Sequence, residues 1–268
     1  MKALIFAAGM GTRLRPVTDT VPKALVPVCG KPLLWHVMMK LKSAGITEVV
    51  VNVHHFADMV EDYLKSAGDL GMTVHISDER DLLRETGGGI MHARKYLQPS
   101  GDGEDSGRDR HFLVHNVDIL SDLDIGWFES QVRPDAMATL LVSRRRTSRY
   151  LLFDSGMRLA GWTNEATGEV RSPYPDLDVS SCRKLAFSGI HIISTSVFPV
   201  FIQEGFGERF PIMDFYLKAA AKYPVYGVLA EGLHLIDVGK PEALEEAGRF
   251  VLSRMGMMPS GTVNGRSM

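Results

Sequence analysis

Four charged side chains, Arg13, Lys23, Asp118 and Asp237, stand in contexts suited to a polyphosphate. Near the amino end an apolar run at residues 3–7 feeds directly into Ala8-Gly9-Met10-Gly11-Thr12-Arg13. Gly9 and Gly11 leave the backbone unobstructed, and Thr12, Arg13, Arg15 and Lys23 add donors and positive charge within a few residues. Successive open N–H groups beside cations form a concave anion site, and a triphosphate suits it better than other common ligands. Lys23 follows Pro22 and precedes an extended stretch containing Pro27, so it is held rigidly. Val114-His115-Asn116-Val117-Asp118 and Leu235-Ile236-Asp237-Val238-Gly239 each end an apolar run in a carboxylate. Two carboxylates from distant strands can flank one Mg2+ while a substrate supplies further phosphate oxygens.

Plainer readings stand beside these. Gly-x-Gly after a strand also makes an ordinary tight turn, and Asp118, with Asp122 and Asp124 close by, can serve a turn or a helix cap. The loop matches neither standard nucleotide motif: Leu14 replaces the third glycine of the dinucleotide fingerprint, and the Gly-Lys-Ser/Thr of a P-loop is absent.

The elements that must position these groups alternate. Strands are expected at residues 3–7, 48–53, 72–76, 112–117 and 136–142, with helices at 32–44, 56–66 and 89–97 between them. This order predicts an α/β fold with a doubly wound, mainly parallel, Rossmann-like sheet. Its ligand lies beyond the carboxyl ends of the strands, where the loops 8–23, 54–55, 78–89 and 115–118 share a rim. Residues 148–195, with several glycines and Pro173–Pro175, read as a small antiparallel hairpin region over that rim. Helices at 210–221 and 240–252 close the chain. One domain is expected over residues 1–252, with a polar surface loop at 99–110 and a loose tail at 253–268.

Composition narrows the function classes. The 268 residues are 45% hydrophobic and 23% charged, and 30 Lys+Arg against 32 Asp+Glu leave a formal charge of −2. That balance argues against nucleic acid as a partner. The two cysteines, Cys29 and Cys182, form no CxxC, and two reduced thiols are expected. The chain opens on a strand, without a basic-apolar leader or an apolar run of about 18 residues, so a cytoplasmic protein with no membrane partner is expected; homo-oligomerisation stays open.

The combination of Ala7-Ala8-Gly9-x-Gly11-Thr12-Arg13, Pro22-Lys23, a strand-end Asp118 and Asp237-Val238-Gly239 resembles the sugar-phosphate nucleotidyltransferases over about residues 2–250. Glu85-Thr86-Gly87-Gly88-Gly89-Ile90 and Phe187-Ser188-Gly189-Ile190 look most like the N-acetylmuramate-1-phosphate uridylyltransferases, with the mannose- and heptose-1-phosphate guanylyltransferases close neighbours. The resemblance implies an enzyme whose partners are a nucleoside triphosphate and a sugar-1-phosphate and whose cofactor is Mg2+. Ala7, Ala8 and Gly9 would meet base and ribose; Gly11, Thr12 and Arg13 the triphosphate; Lys23 its phosphates. Gly87 and Gly88 would line the base, Ser188 and Gly189 would face the sugar, and Asp118 and Asp237 would hold the metal. UTP with N-acetylmuramate-1-phosphate, in cell-wall sugar recycling, is the first expectation. GTP with mannose- or heptose-1-phosphate is the alternative within the class, and a non-catalytic nucleotide-sensing module the alternative outside it.

The chain departs from the pattern in two places. Val117 replaces a glycine common in relatives, and no lysine occupies the central hairpin stretch Ala160-Gly161-Trp162-Thr163-Asn164 where many relatives hold the sugar phosphate. Arg145, Arg149 and Lys184 are candidate substitutes. Asn164 and Trp162 can frame the sugar or simply pack in the hairpin. The Arg144-Arg145-Arg146 run can be a solvated edge or face a phosphate. His54-His55 makes a poor metal site, because adjacent side chains on extended backbone diverge. Residues 78–81 form a polar loop in which base or ribose contact stays open.

Overall fold

Apolar strands covered on both faces set the architecture of the computed structural model, which describes residues 1–68, 70–98 and 110–254. In chain order the strands and helices are β1 (Lys2–Phe6), β2 (Pro27–Val28), β3 (Lys31–Pro32), α1 (Leu33–Ser43), β4 (Glu48–Val53), α2 (Ala57–Ser66), β5 (Thr73–Asp78), α3 (Glu85–His92), α4 (Arg94–Leu97) and β6 (His111–Asn116). There follow β7 (Ile119–Ser121), α5 (Ile125–Ser130), β8 (Ala138–Ser143), β9 (Arg149–Phe153), β10 (Leu159–Asn164), β11 (Glu169–Arg171) and β12 (Arg183–Ser194). The chain then adds α6 (Val197–Gln203), α7 (Ile212–Ala219), β13 (Val225–Leu229), β14 (Leu235–Asp237) and α8 (Glu242–Arg254).

Strands β6-β1-β4-β5 are mutually parallel, so their carboxyl ends share one rim. β12 lies antiparallel against β6 and β8, and β13 runs parallel to β8. The ends of β8 and β13 therefore reach the same rim. Alternation along β1 sends Ala3 and Ile5 into a core beneath α1, α2 and α8, and Leu4 into a second core beneath α3, α4, α6 and α7. The doubly wound α/β architecture is as expected. The antiparallel residues 148–195 are not a separate cap: β9, β10 and β11 continue the main sheet through the N-terminal part of β12.

Two boundaries differ from expectation for physical reasons. The helix expected at 89–97 begins at Glu85 and is divided at Ala93 into α3 and α4. Three consecutive glycines are poor helix formers, but close packing described below rewards them. α8 runs on to Arg254, whose guanidinium pairs with Asp122 and lies 5.6 Å over the Phe250 ring. Residues 99–109 and 255–268, in the expected loop and tail, lie outside the described residues. Both cysteines are free thiols. Among the described residues no helix is long and apolar enough to cross a membrane.

Burial holds the His115 imidazole down at about 4 and that of His191 at about 3, against an ordinary 6.5. Between pH 6.5 and those values the unfolded chain binds protons that the folded chain refuses, so stability is lost as pH falls through that window. Each histidine is expected to cost about 2 kcal/mol on going from neutrality to pH 5. Urea unfolding should show a lower midpoint at pH 5 than at pH 7; equal midpoints would contradict the assignment of neutral buried imidazoles.

Candidate active site

β1 ends where a side chain captures its next two donors. Asn52, at the end of the neighbouring β4, accepts from the N–H groups of Ala7 (2.7 Å) and Ala8 (3.2 Å) through one oxygen. The chain is thereby lifted off the sheet into the glycine loop. These two N–H groups are thus committed within the protein, and Ala8 lines the cleft without a free amide. A Cβ on Gly9 would meet nothing within 4 Å, so packing does not demand that glycine and the space above it is open. Gly11 is different: its φ of +63° is left-handed, and a Cβ there would lie 2.9 Å from the Thr18 methyl group. The Thr18 hydroxyl donates to the Gly11 carbonyl at 2.8 Å and holds the turn closed. Thr12 begins a short 3-10 turn ending at Leu14.

A cleft of ≈ 460 Å³ opens at this rim. Ala8 and Gly9 form one wall, Lys23, Val117 and Asp118 another, and Glu79, Glu85 and Thr86 a third. Lys23 and Asp118 form an ion pair with side chains only 10% and 15% exposed. A neighbouring cleft of ≈ 310 Å³ contains Arg13, Asp237, Gly239 and Lys240. The four expected charges thus fall into two cation–carboxylate sets, and the backbone joins them. β14 pairs with β7 in a register that places Asp237 opposite Ile119, and the Val238 N–H donates to the Asp118 carbonyl at 2.8 Å. The glycine loop spans both clefts, with Gly9 in the first and Arg13 in the second. A Cβ on Gly239 would lie 2.7 Å from Asp237 Oδ1 and 3.0 Å from Arg13 Nη2, so the second set closes around that glycine.

The donor chemistry fits Mg2+. Asp118 and Asp237 are hard oxygen donors joined through the β7–β14 pair, and among the described residues no cluster of three or more His, Cys, Asp or Glu could enclose an ion. Mg2+ commonly takes one or two carboxylates and completes its octahedron with water and substrate phosphates.

The residues expected on the sugar side lie outside the main cleft. Arg149 and Asn164 are cross-strand partners on β9 and β10. β12 pairs with β9 as far as Leu185 against Leu151, and Phe187, just before Ser188 and Gly189, pairs with Val142 of β8. Gly189 has φ +73°, and a Cβ on it would lie 2.8 Å from Asn116 Nδ2, a group at the cleft wall. Ser188 is 1% exposed, and its hydroxyl has no hydrogen-bond partner among the described residues. Of the three candidate cations, Lys184 is held by Glu165 at 3.0 Å and Arg145 donates to the Phe187 carbonyl at 3.1 Å. Arg149 has no ion-pair partner among the described residues.

Gly87 and Gly88 do not line the cleft, which corrects the expectation for the base-binding wall. Their N–H groups donate to the Phe210 carbonyl at 2.8 and 3.2 Å. A Cβ would strike the Phe210 ring at 2.2 Å from Gly87, and the Glu208 carbonyl at 2.2 Å from Gly88. Their missing side chains let α3 seat against residues 208–210, and Glu85 and Thr86 form the wall instead. Asn52 escaped the sequence reading, and Glu79 entered it only as one member of the polar loop 78–81. The available signal was one polar residue inside the β-branched run Val49-Val50-Val51-Asn52-Val53. Glu79 had no such signal, because it sits in a loop of four charged residues. Asp78, Arg80 and Asp81 of that loop make exposed ion pairs, whereas Glu79 is 0% exposed.

With this geometry established, similarity to other proteins can be weighed. Residues 2–254 match the family model described as nucleotidyl transferase. An N-acetylmuramate alpha-1-phosphate uridylyltransferase of Caulobacter vibrioides is 35% identical over 248 residues, covering 90% of this chain and 93% of that one. A mannose-1-phosphate guanyltransferase beta-B of Xenopus laevis is 39% identical over 134 residues, 50% of this chain and 34% of that protein. Among solved structures, HddC from Yersinia pseudotuberculosis superposes with a TM-score of 0.70 at 23% identity, covering 93% of this chain and 99% of that one. The inositol-1-phosphate CTP transferase from T. maritima also reaches 0.70, at 18% identity, over 97% and 96% of the two chains. The chain belongs to the nucleotidyl transferase family, within the class of sugar-1-phosphate nucleotidyltransferases.

Gly239→Ala tests the second charge set. Gly239 has an ordinary φ, so the added methyl should leave the fold intact while displacing Asp237 and Arg13. Turnover is expected to fall at least about tenfold with the thermal midpoint nearly unchanged. Wild-type turnover would show that the two side chains need no such approach.

Proposed function

We propose that this chain transfers a uridylyl group from UTP to N-acetylmuramate-1-phosphate, forming the nucleotide sugar and releasing pyrophosphate. The observation that supports the chemistry is the backbone link between the Asp118 and Asp237 segments, whose carboxylates line the two clefts that the glycine loop spans. The near full-length likeness to the Caulobacter enzyme supports the choice of substrates.

The attacking group is a phosphate oxygen that is already anionic, so no side chain must act as nucleophile or base. The protein supplies alignment and charge neutralisation. The glycine loop seats the triphosphate, with the open face of Gly9 under the nucleoside and Arg13 at the far end of the phosphates. Lys23 neutralises charge that accumulates on the pyrophosphate as it leaves. Asp118 and Asp237 would hold Mg2+, which when bound draws phosphate oxygens together and withdraws charge from them. Arg149, without an ion-pair partner among the described residues, takes the sugar phosphate in place of the missing hairpin lysine, and Asn164, Ser188 and Gly189 border the sugar. A cytoplasmic setting, in keeping with a nucleoside triphosphate substrate, is part of the same proposal.

The partial likeness to the Xenopus enzyme keeps GTP with mannose-1-phosphate as the second reading. A non-catalytic nucleotide sensor would need the glycine loop but not two carboxylates on segments joined by a backbone ladder. Pyrophosphate release should be measured over a panel of nucleoside triphosphates and sugar-1-phosphates with Mg2+. UTP with N-acetylmuramate-1-phosphate is expected to give the highest kcat/KM, and Asp237→Asn to lower it by about a hundredfold or more. Preference for GTP with mannose-1-phosphate would select the second reading; nucleotide binding without turnover on any pair would select the sensor.

A further inference from the structure

Asn52 and Glu79 form a buried bridge between the two loops that flank the nucleotide cleft. Asn52 is 2% exposed and Glu79 0%. Through its oxygen Asn52 accepts from Ala7 and Ala8, and through its nitrogen it donates to Glu79 Oε1 at 2.9 Å. The second carboxylate oxygen of Glu79 accepts from the Arg84 N–H at 3.1 Å. Glu79 is also pinned by its own backbone: its N–H donates to the Val53 carbonyl at 2.8 Å, and its carbonyl lies 2.7 Å from His54 Nδ1. A Cβ on Gly89 would stand 2.9 Å from Glu79 Oε1 and 3.4 Å from Asn52 Nδ2, so that glycine makes room for the bridge.

A carboxylate buried this deeply is costly unless its oxygens are satisfied. Here the satisfying donors come from two different segments. The Arg84 N–H immediately precedes the Glu85–Thr86 wall of the cleft, and the Asn52 amide in turn fixes the start of the glycine loop. We propose that Asn52 and Glu79 are positioning residues that set the separation of the glycine loop from the 84–86 wall and thereby govern nucleotide affinity. Both side chains also line the cleft, but the proposed role runs through the backbone segments they hold rather than through a bond to the reacting atoms. The inference rests on the reading of the glycine loop as the triphosphate seat.

The hydrogen-bond pattern is directional, and that supplies the test. Asn52→Asp sets two carboxylates against each other and removes the donor. The double variant Asn52→Asp with Glu79→Gln reverses the pair. The carboxylate introduced on β4 then accepts from Ala7, Ala8 and the new amide, and the amide oxygen accepts from Arg84. Steady-state kinetics on the full chain, with UTP and N-acetylmuramate-1-phosphate varied separately, should show a nucleotide KM at least tenfold higher for Asn52→Asp. The sugar-phosphate KM should move less than twofold. The double variant should recover to within threefold of the wild-type nucleotide KM. Three results would overturn the proposal: an unchanged nucleotide KM in Asn52→Asp, equal rises in both KM values, or no recovery in the double variant. Absence of wild-type turnover on these substrates would instead count against the substrate assignment. Asn52→Ala, which removes the bridge without adding charge, should give the same KM split if Asn52→Asp fails to fold; the absence of that split would again overturn it.

Discussion

The two short strands Ile119–Ser121 and Leu235–Asp237 hold each other in register, and the charged groups of the site take their places from that ladder. Asp237 lies opposite Ile119 and the Val238 N–H meets the Asp118 carbonyl, so a slip of one residue would change the relation of the two acidic positions. Buried neighbours resist the slip. Ile119, Leu120, Ile236 and Val238 are each at most 5% exposed and belong to the core beneath α1 and α8. Packing in the hydrophobic core therefore fixes the relation between two carboxylates drawn from distant parts of the chain.

Electrostatics then divides the labour. The Lys23–Asp118 pair is largely shielded from water, where each charge alone would carry a heavy desolvation penalty. The pair places one cation and one carboxylate in the lining of the cleft at the same time. Arg13 and Asp237 repeat the arrangement in the adjoining cleft. A linear polyphosphate spanning both clefts would meet a cation and a carboxylate in each. On the proposed reading this is preorganised charge stabilisation, and no activated nucleophile is required.

How much of this could be read from the residues depended on whether the signal was local. The parallel strands were legible because runs such as Glu48–Val53 are apolar without alternation. The glycine loop and both strand-end acids were legible because motif and element lie next to each other in sequence. Family resemblance extended the reading to the substrates. What stayed hidden was side-chain direction. Nothing in Asp78-Glu79-Arg80-Asp81 says that the second residue turns inward while its neighbours pair at the surface. The three glycines of α3 signalled close approach, but not that the approaching groups are Phe210, the Glu208 carbonyl and the Glu79–Asn52 bridge. Nor could spacing reveal that the four expected charges occupy two clefts, since the Val238–Asp118 hydrogen bond that joins them is a contact between distant segments.

The central claim is that Asp118 and Asp237 face one metal-bound polyphosphate seated on the glycine loop. A crystal structure of the full chain with Mn2+ and a non-hydrolysable UTP analogue, phased to reveal anomalous scattering from the metal, tests it most directly. The account predicts a manganese peak within coordination distance of both carboxylates and of the nucleotide phosphates, with Arg13 and Lys23 on the phosphate chain. A peak that touches neither carboxylate, or a nucleotide bound away from the glycine loop, would contradict it.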